Sequence, residues 1–229
     1  MLRPKKKITK KQLKEDALVS SYVKVTTFYE KHKREISIGV TVAVVLAIVA
    51  LIYFRNRADN DQRAMAQVAA VYKFFDNGQY QIAIDGAPER NIAGLRSIVD
   101  NYGGTDGGEL ATFYLASAYF QLDSTELALA CFEDFSPGNQ FLAVSRYSGI
   151  AACHEALGNY REAAEYFERA ASADVEGVNV AENLHHAARN YAESGERAKA
   201  LELYRRLKKN HPTTRYGREA DRFITELSV

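Results

Sequence analysis

Residues 156–174 read ALGNYREAAEYFERAASAD, and residues 193–212 read ESGERAKALELYRRLKKNHP. Each stretch has a turn glycine (Gly158, Gly195), an alanine five residues on (Ala163, Ala200) and a ring nine residues on (Phe167, Tyr204). Each is preceded by a small residue seven positions back (Ala151, Ala188) and a ring four positions back (His154, Tyr191). The same spacing recurs upstream around Asp123, with Ala116, Tyr119, Ala128 and Phe132. It recurs again around Gly78, with Val71, Phe74 and Ala83. The four anchors stand 45, 35 and 37 residues apart.

Each element of this pattern has a packing reason. Two helices that cross closely need small side chains where the backbones approach, and rings fill the gaps on either side. A glycine just past the first helix takes the left-handed conformation that ends it. A period of about 34 residues with this pattern resembles the tetratricopeptide repeat, TPR. Pro212 stands where that pattern places its closing proline. The first unit departs from it. A helix is expected over Met65–Asn77 and a second begins over Gln79–Ile84, but Gly86, Pro88 and the polar residues to Asn91 interrupt it. A further helix from Ile92 to Asn101 is expected to complete the packing before the loop GGTDGG at 103–108. That makes an insertion of about ten residues. At the far end Thr213 or Thr214 is expected to cap a last helix reaching Leu227. Its polar outer face (Arg215, Arg218, Glu219, Arg222) suits the solvated cap that an open solenoid needs.

Upstream of the repeats, Ile36 to Phe54 reads ISIGVTVAVVLAIVALIYF without a single charge. As a helix it would be roughly 28 Å long, close to the hydrocarbon core of a bilayer. In lipid a helix satisfies its own backbone polar groups, and that overrides the low helix propensity of its β-branched residues. Tyr53 and Phe54 sit at one end, where rings favour the membrane interface. A soluble core helix of this length would carry a polar face. A cleaved signal would need a shorter basic leader and a small-residue site, whereas Arg55-Asn56-Arg57 follows the apolar run. The segment therefore reads as an uncleaved signal anchor. Residues 1–35 carry a net charge of +7 and residues 55–229 a net of −6, within a whole-chain charge of +1. The basic side is expected in the cytoplasm and the repeats across the membrane, although Arg55 and Arg57 flank the far side.

In the tail, Thr9 and Gln12 form a candidate capping box. Leu18, Tyr22, Val25 and Tyr29 then lie on one helical face among Lys10, Lys11, Lys14, Lys24 and Lys31. Two readings stand: a short amphipathic helix docked on the anionic inner leaflet or on a partner's cytoplasmic loops, or charge that only sets topology. No nucleic-acid module accompanies the charge.

The expected fold is all-α: an N-terminal transmembrane helix followed by a TPR α-solenoid of about four repeats with a C-terminal capping helix. The expected order is a basic cytoplasmic tail (1–35), a transmembrane helix (36–54), a linker (55–63) and a TPR domain (64–229). Within that domain the repeats run about 64–108 with the insertion, 109–143, 144–180 and 181–212, and the cap 213–228.

First helices of such a solenoid line a concave groove. Helical spacing from the anchors places Tyr72, Phe75, Phe113, Ser117, Phe120, Ser148, Glu155, His185, Arg189 and Glu193 on it as a partner-binding surface. The early half is aromatic and the late half polar. Phe75, Phe113 and Phe120 have two readings: they receive apolar segments of a partner, or they pack under residues 86–108 or the membrane-proximal helix. The basic and asparagine residues that would clamp a chaperone tail's carboxylate are absent from this face.

Catalytic and metal signals are thin. His185 and His186 point about 100° apart on a helix, which does not suit a shared metal, and no HExxH is present. His154 takes the place of a packing ring. The glycine loop at 103–108 lacks the Lys-Ser/Thr of a phosphate loop, and Thr105 or Asp106 serves better as a helix cap. Cys131 and Cys153 fall on neighbouring helices, either as buried free thiols or as a disulfide, and the sequence leaves that open. No nucleophile stands with a base and an orienter at useful spacing. The chain reads as a binding scaffold without cofactor or metal.

The order of features resembles one bacterial family, the YfgM-like ancillary subunit of the Sec translocon. It runs basic helical N-terminus, signal anchor, first TPR with a split second helix and the sequence NYGGT (101–105), further TPRs, and cap. The resemblance implies a single-pass protein of the inner membrane with its repeats in the periplasm. It implies translocon subunits, secreted or periplasmic clients and periplasmic chaperones as partners. The alternative is a TPR scaffold for cell-envelope or outer-membrane assembly. Neither reading fixes the oligomeric state.

Overall fold

The computed structural model describes residues 10–138, 140–174 and 177–228, with side chains from Tyr22 onward. The chain divides into two compact units, Met1–Asn56 and Arg57–Val229. The long helix α1, Lys10–Asp76, contributes to both. The Thr9–Gln12 capping box and the Leu18 position of the amphipathic stripe lie outside the described side chains.

In the first unit the helix turns its hydroxyls inward. Thr26, Thr27 and Thr41 donate to the carbonyls of Tyr22, Val23 and Ser37, which removes polar groups from the surface without breaking the ladder. From Ser37 to Phe54 every side chain is exposed. Among the described residues this is one helix long and apolar enough to cross a membrane. Residues 55–63, expected as a linker, are helical within α1. No glycine or proline stands between Gly39 and Gly78, so nothing local interrupts the helix.

In the second unit the four anchor residues all adopt the left-handed conformation, with φ of 72° at Gly78, 56° at Asp123, 79° at Gly158 and 85° at Gly195. Each turn is closed by the same bond. The N–H after the anchor reaches five residues back, from Gln79 to Phe74, Ser124 to Tyr119, Asn159 to His154 and Glu196 to Tyr191. This is the Schellman closure of a helix C-terminus. Four helix pairs follow: the end of α1 with α2 (Tyr80–Asp85), then α4 (Asp106–Gln121) with α5 (Thr125–Asp134), α6 (Gln140–Ala156) with α7 (Tyr160–Ala173), and α8 (Val180–Glu193) with α9 (Arg197–Asn210). The cap α10 (Arg215–Ser228) packs on α9 and α8.

The small residues of the motif sit where the helices cross. Ala83, Ala128, Ala163 and Ala200 are fully buried, as are Val71, Ala116, Ala151 and Ala188. Phe132, Phe167 and Tyr204 fill the adjoining space. One core joins α7 to α9 around Leu184 and Leu207, with Phe223, Ile224 and Leu227 of α10 leaning on it. A second surrounds Val71, Ile84, Leu95 and Ile98 in the first repeat. A smaller one holds Ala116, Ala128, Phe132, Ile150 and Cys153 between them.

The insertion differs from its expected form. Ile92 does not start a helix; Gly86–Ala87 (β1) and Ile92–Ala93 (β2) pair as a minimal antiparallel ladder around a 3-10 turn at Pro88–Arg90. Helix α3 begins only at Leu95 and ends at Tyr102. Asn91 in the left-handed conformation closes the turn.

Two helix starts are capped by hydroxyls. Thr105 accepts from the Gly108 N–H at 3.0 Å to start α4, and Thr214 accepts from the Gly217 N–H at 3.1 Å to start α10. Thr105→Ala should cost about 1 kcal/mol and lower the thermal midpoint by about 2–4 °C in a circular-dichroism melt. Thr105→Ser should restore most of it; equal melts for all three proteins would remove the cap from the account. Cys131 and Cys153 are free thiols. Burial, with the Glu133 charge adding, pushes the Cys153 thiol up to about 12, so it behaves as a small core hydrophobe.

Candidate functional site

Helices α4, α6 and α8 are the first helices of the second, third and fourth repeats, and their inward faces enclose a groove of about 600 Å³. The floor comes from α6. Ser145, Ser148, Gly149 and Ala152 lie at i, i+3, i+4 and i+7, so one face of that helix is made of small residues. A Cβ at Gly149 would stand 2.5 Å from the Phe132 ring; glycine is what lets that ring come up against the floor. Phe113, Ser117 and Phe120 of α4 make one wall, with the Phe113 ring 6.4 Å from Phe132. Glu182, Asn183, His186 and Arg189 of α8 make the other.

The polar wall is tied to the floor by specific bonds. Glu155 of α6 accepts from Arg189 at 2.5 Å and from Asn190 at 2.7 Å. Ser148 donates to Asn183 at 2.9 Å. His186 stacks on Phe167 with ring centroids 5.0 Å apart. Burial holds the His186 pKa below its ordinary value, and the nearby Arg189 charge adds to that effect against Glu155 and Glu182. The imidazole is therefore neutral at neutral pH.

Six of the ten residues expected on the groove line it: Phe113, Ser117, Phe120, Ser148, Glu155 and Arg189. Tyr72 and Phe75 stand one repeat earlier. Their rings reach the groove's edge through Tyr114, at 5.2 and 5.1 Å, and Tyr114 in turn meets Phe113 at 5.4 Å. Phe75 packs on the first-repeat core that includes Leu95 and Ile98 of the insertion, whereas Phe113 and Phe120 are half-buried on the groove wall. His185 turns away from the groove. It stacks on Tyr216 at 4.4 Å and meets Phe223 at 4.9 Å, because α10 continues the stack on that side of α8 and covers it. Glu193 is exposed at the end of α8, outside the lining.

Counting one stripe per helix missed Ser145, Gly149, Ala152, Glu182, Asn183 and His186. The run of small residues on α6 was the available signal. It hollows the middle helix so that its neighbours' side chains become walls. Among the described residues no three His, Cys, Asp or Glu side chains converge to hold a metal.

Tetratricopeptide repeat models match residues 144–174 and 182–214. Among solved structures, this chain is similar to a kinesin light chain of Podosopora anserina with nearly identical TPR-like repeats: 16% identity and a TM-score of 0.56, covering 73% of this chain and 86% of that one. A single-residue variant of the same protein gives 16% identity and a TM-score of 0.55, covering 73% and 85%. No curated protein matches this chain. The fold is an all-helical TPR-like array. TPR repeats are protein–protein interaction scaffolds, generally without catalysis, and these matches indicate no enzymatic family.

Proposed function

We propose that this chain is a membrane-anchored TPR adaptor: residues 36–54 cross the bacterial inner membrane, residues 1–35 stay in the cytoplasm, and the repeats work in the periplasm beside the Sec translocon. There they would receive emerging secreted or periplasmic chains and pass them to periplasmic chaperones. The observation that carries this reading is the pairing of two surfaces in one chain. One is a run of exposed apolar side chains from Ser37 to Phe54, far more than a water-soluble surface tolerates. The other is an open groove with an aromatic wall in a fold built for protein binding. The basic excess before the apolar run supports the orientation, and the resemblance to the YfgM-like family supports the translocon as neighbour.

In-cell photo-crosslinking from Phe120 and from Tyr29, followed by identification of the trapped proteins, tests it. Translocon subunits or secreted clients captured from Phe120 are the expected result. Outer-membrane assembly factors there would favour an envelope-assembly scaffold. Cytosolic partners at Phe120 would overturn the orientation and the adaptor role with it.

A further inference from the structure

We infer that the groove selects segments in which a large apolar side chain stands next to a lysine or arginine, and that it disfavours acidic segments; this rests on the adaptor reading above and narrows its client. The apolar half of the argument is steric. Phe113 and Phe120 form one wall, the Phe132 ring closes the space over Gly149, and the small Ala152 leaves the floor beside them low and apolar. A ring or a branched aliphatic group fits against this aromatic wall and apolar floor. Phe141, one helical turn before Ser145 on α6, is 70% exposed and lies on the same helix face, outside the groove lining.

The charged half comes from counting what is already paired. Glu155 is satisfied by Arg189 and Asn190. Arg189 puts its Nη2 against Glu155 and the His186 ring, the latter at 3.3 Å, so its charge is largely offset by Glu155. Glu182 remains. Its ionic contact is His186 at 3.9 Å, and its side chain is 53% exposed. With the imidazole neutral, Glu182 is a carboxylate facing the groove without a cationic partner, so the lining carries two carboxylates against one permanent cation. A basic side chain next to the apolar anchor complements it, and an acidic one meets repulsion.

The test uses the full-length chain in nanodiscs and three fluorescent peptides that differ at one position beside a phenylalanine anchor: lysine, serine or glutamate. Binding should follow the order lysine, serine, glutamate, with about a fivefold gap between the extremes that narrows in high salt. Glu182→Lys should reverse that order. Ala152→Trp, which raises the groove floor with a bulky ring, should abolish binding of all three, with helical content by circular dichroism unchanged. Equal affinities for the three peptides would overturn the charge selection while the adaptor reading stands. Binding unaffected by Ala152→Trp would overturn the apolar contact in the groove. Absence of both peptide binding and client crosslinks from Phe120 would remove the adaptor reading itself.

Discussion

Gly94→Ala should be among the most damaging single substitutions in the repeat domain, costing about 3 kcal/mol and lowering the thermal midpoint by about 6–12 °C. Its φ is −78°, so the cause is not backbone conformation but space. An added Cβ would lie 2.3 Å from the Ile84 carbonyl oxygen, 2.4 Å from the Asp85 carbonyl carbon and 2.5 Å from the Gly86 nitrogen. All three are main-chain atoms at the closure of the β1–β2 turn, and none can rotate out of the way. The strain falls on the joint between α2 and α3, whose Ile84, Leu95 and Ile98 are fully buried in the first-repeat core. Because each repeat leans mainly on its neighbours, hydrogen exchange should accelerate first in residues 80–102 and last in α8 and α9. Gly138→Ala, where an added Cβ meets nothing, should leave the melt unchanged. A Gly94→Ala protein as stable as the parent would mean that the hairpin is not closed as described.

That hairpin also marks where sequence reading ran out. Gly86 and Pro88 were legible as a break, because they cannot continue a helix. The two-residue ladder after them was not. Ile92 and Ala93 carry no alternation long enough to signal a strand, and their pairing with Gly86 and Ala87 depends on the two facing glycines. The four turns were legible because the left-handed residue, the buried alanine five residues later and the small residue seven before it are local requirements of one helix-pair geometry. Even Asp123, the one anchor that is not glycine, keeps the conformation at φ 56°, which Asp tolerates better than most residues. The helical state of the 55–63 linker is not marked by any residue that would end a helix, and charge alone does not end one.

The groove was legible by face and not by edge. Phe113, Ser117 and Phe120 follow from the spacing on α4 alone. The same counting put His185 on the inward face of α8, and the structure puts its neighbour His186 there instead. Their fates are set by what comes next in the chain. Tyr216 and Phe223 of α10 take His185 into the stack, leaving His186 to line the groove over Phe167. A terminal helix that covers a face changes which residues of the last repeat are free, and no count within one repeat reports it.

The cap's hold on His185 gives the second large effect, a loss of stability in acid. Burial lowers the His185 pKa from 6.5 to about 4, with the charges of His186, Arg189 and Arg215 pushing the same way and Glu219 opposing. Tyr204 of α9 also faces the ring, 3.4 Å from its Nδ1. The folded chain therefore binds fewer protons at this site than the unfolded chain between those two values. The contribution is complete above about pH 6.5, drains as the pH falls towards 4, and is gone below that, where both states carry the proton. Its size is about 2–3 kcal/mol once partial exposure is allowed for. Urea midpoints at pH 7 and pH 4.5 measure it. His185→Phe keeps a ring between Tyr216 and Phe223 but cannot titrate, so its stability should fall less over that interval than the parent's, and α10 should be the first helix to lose protection in the parent. Parallel pH curves for the two proteins would assign the acid loss to other groups, with His186, half-buried over Phe167, the next to examine.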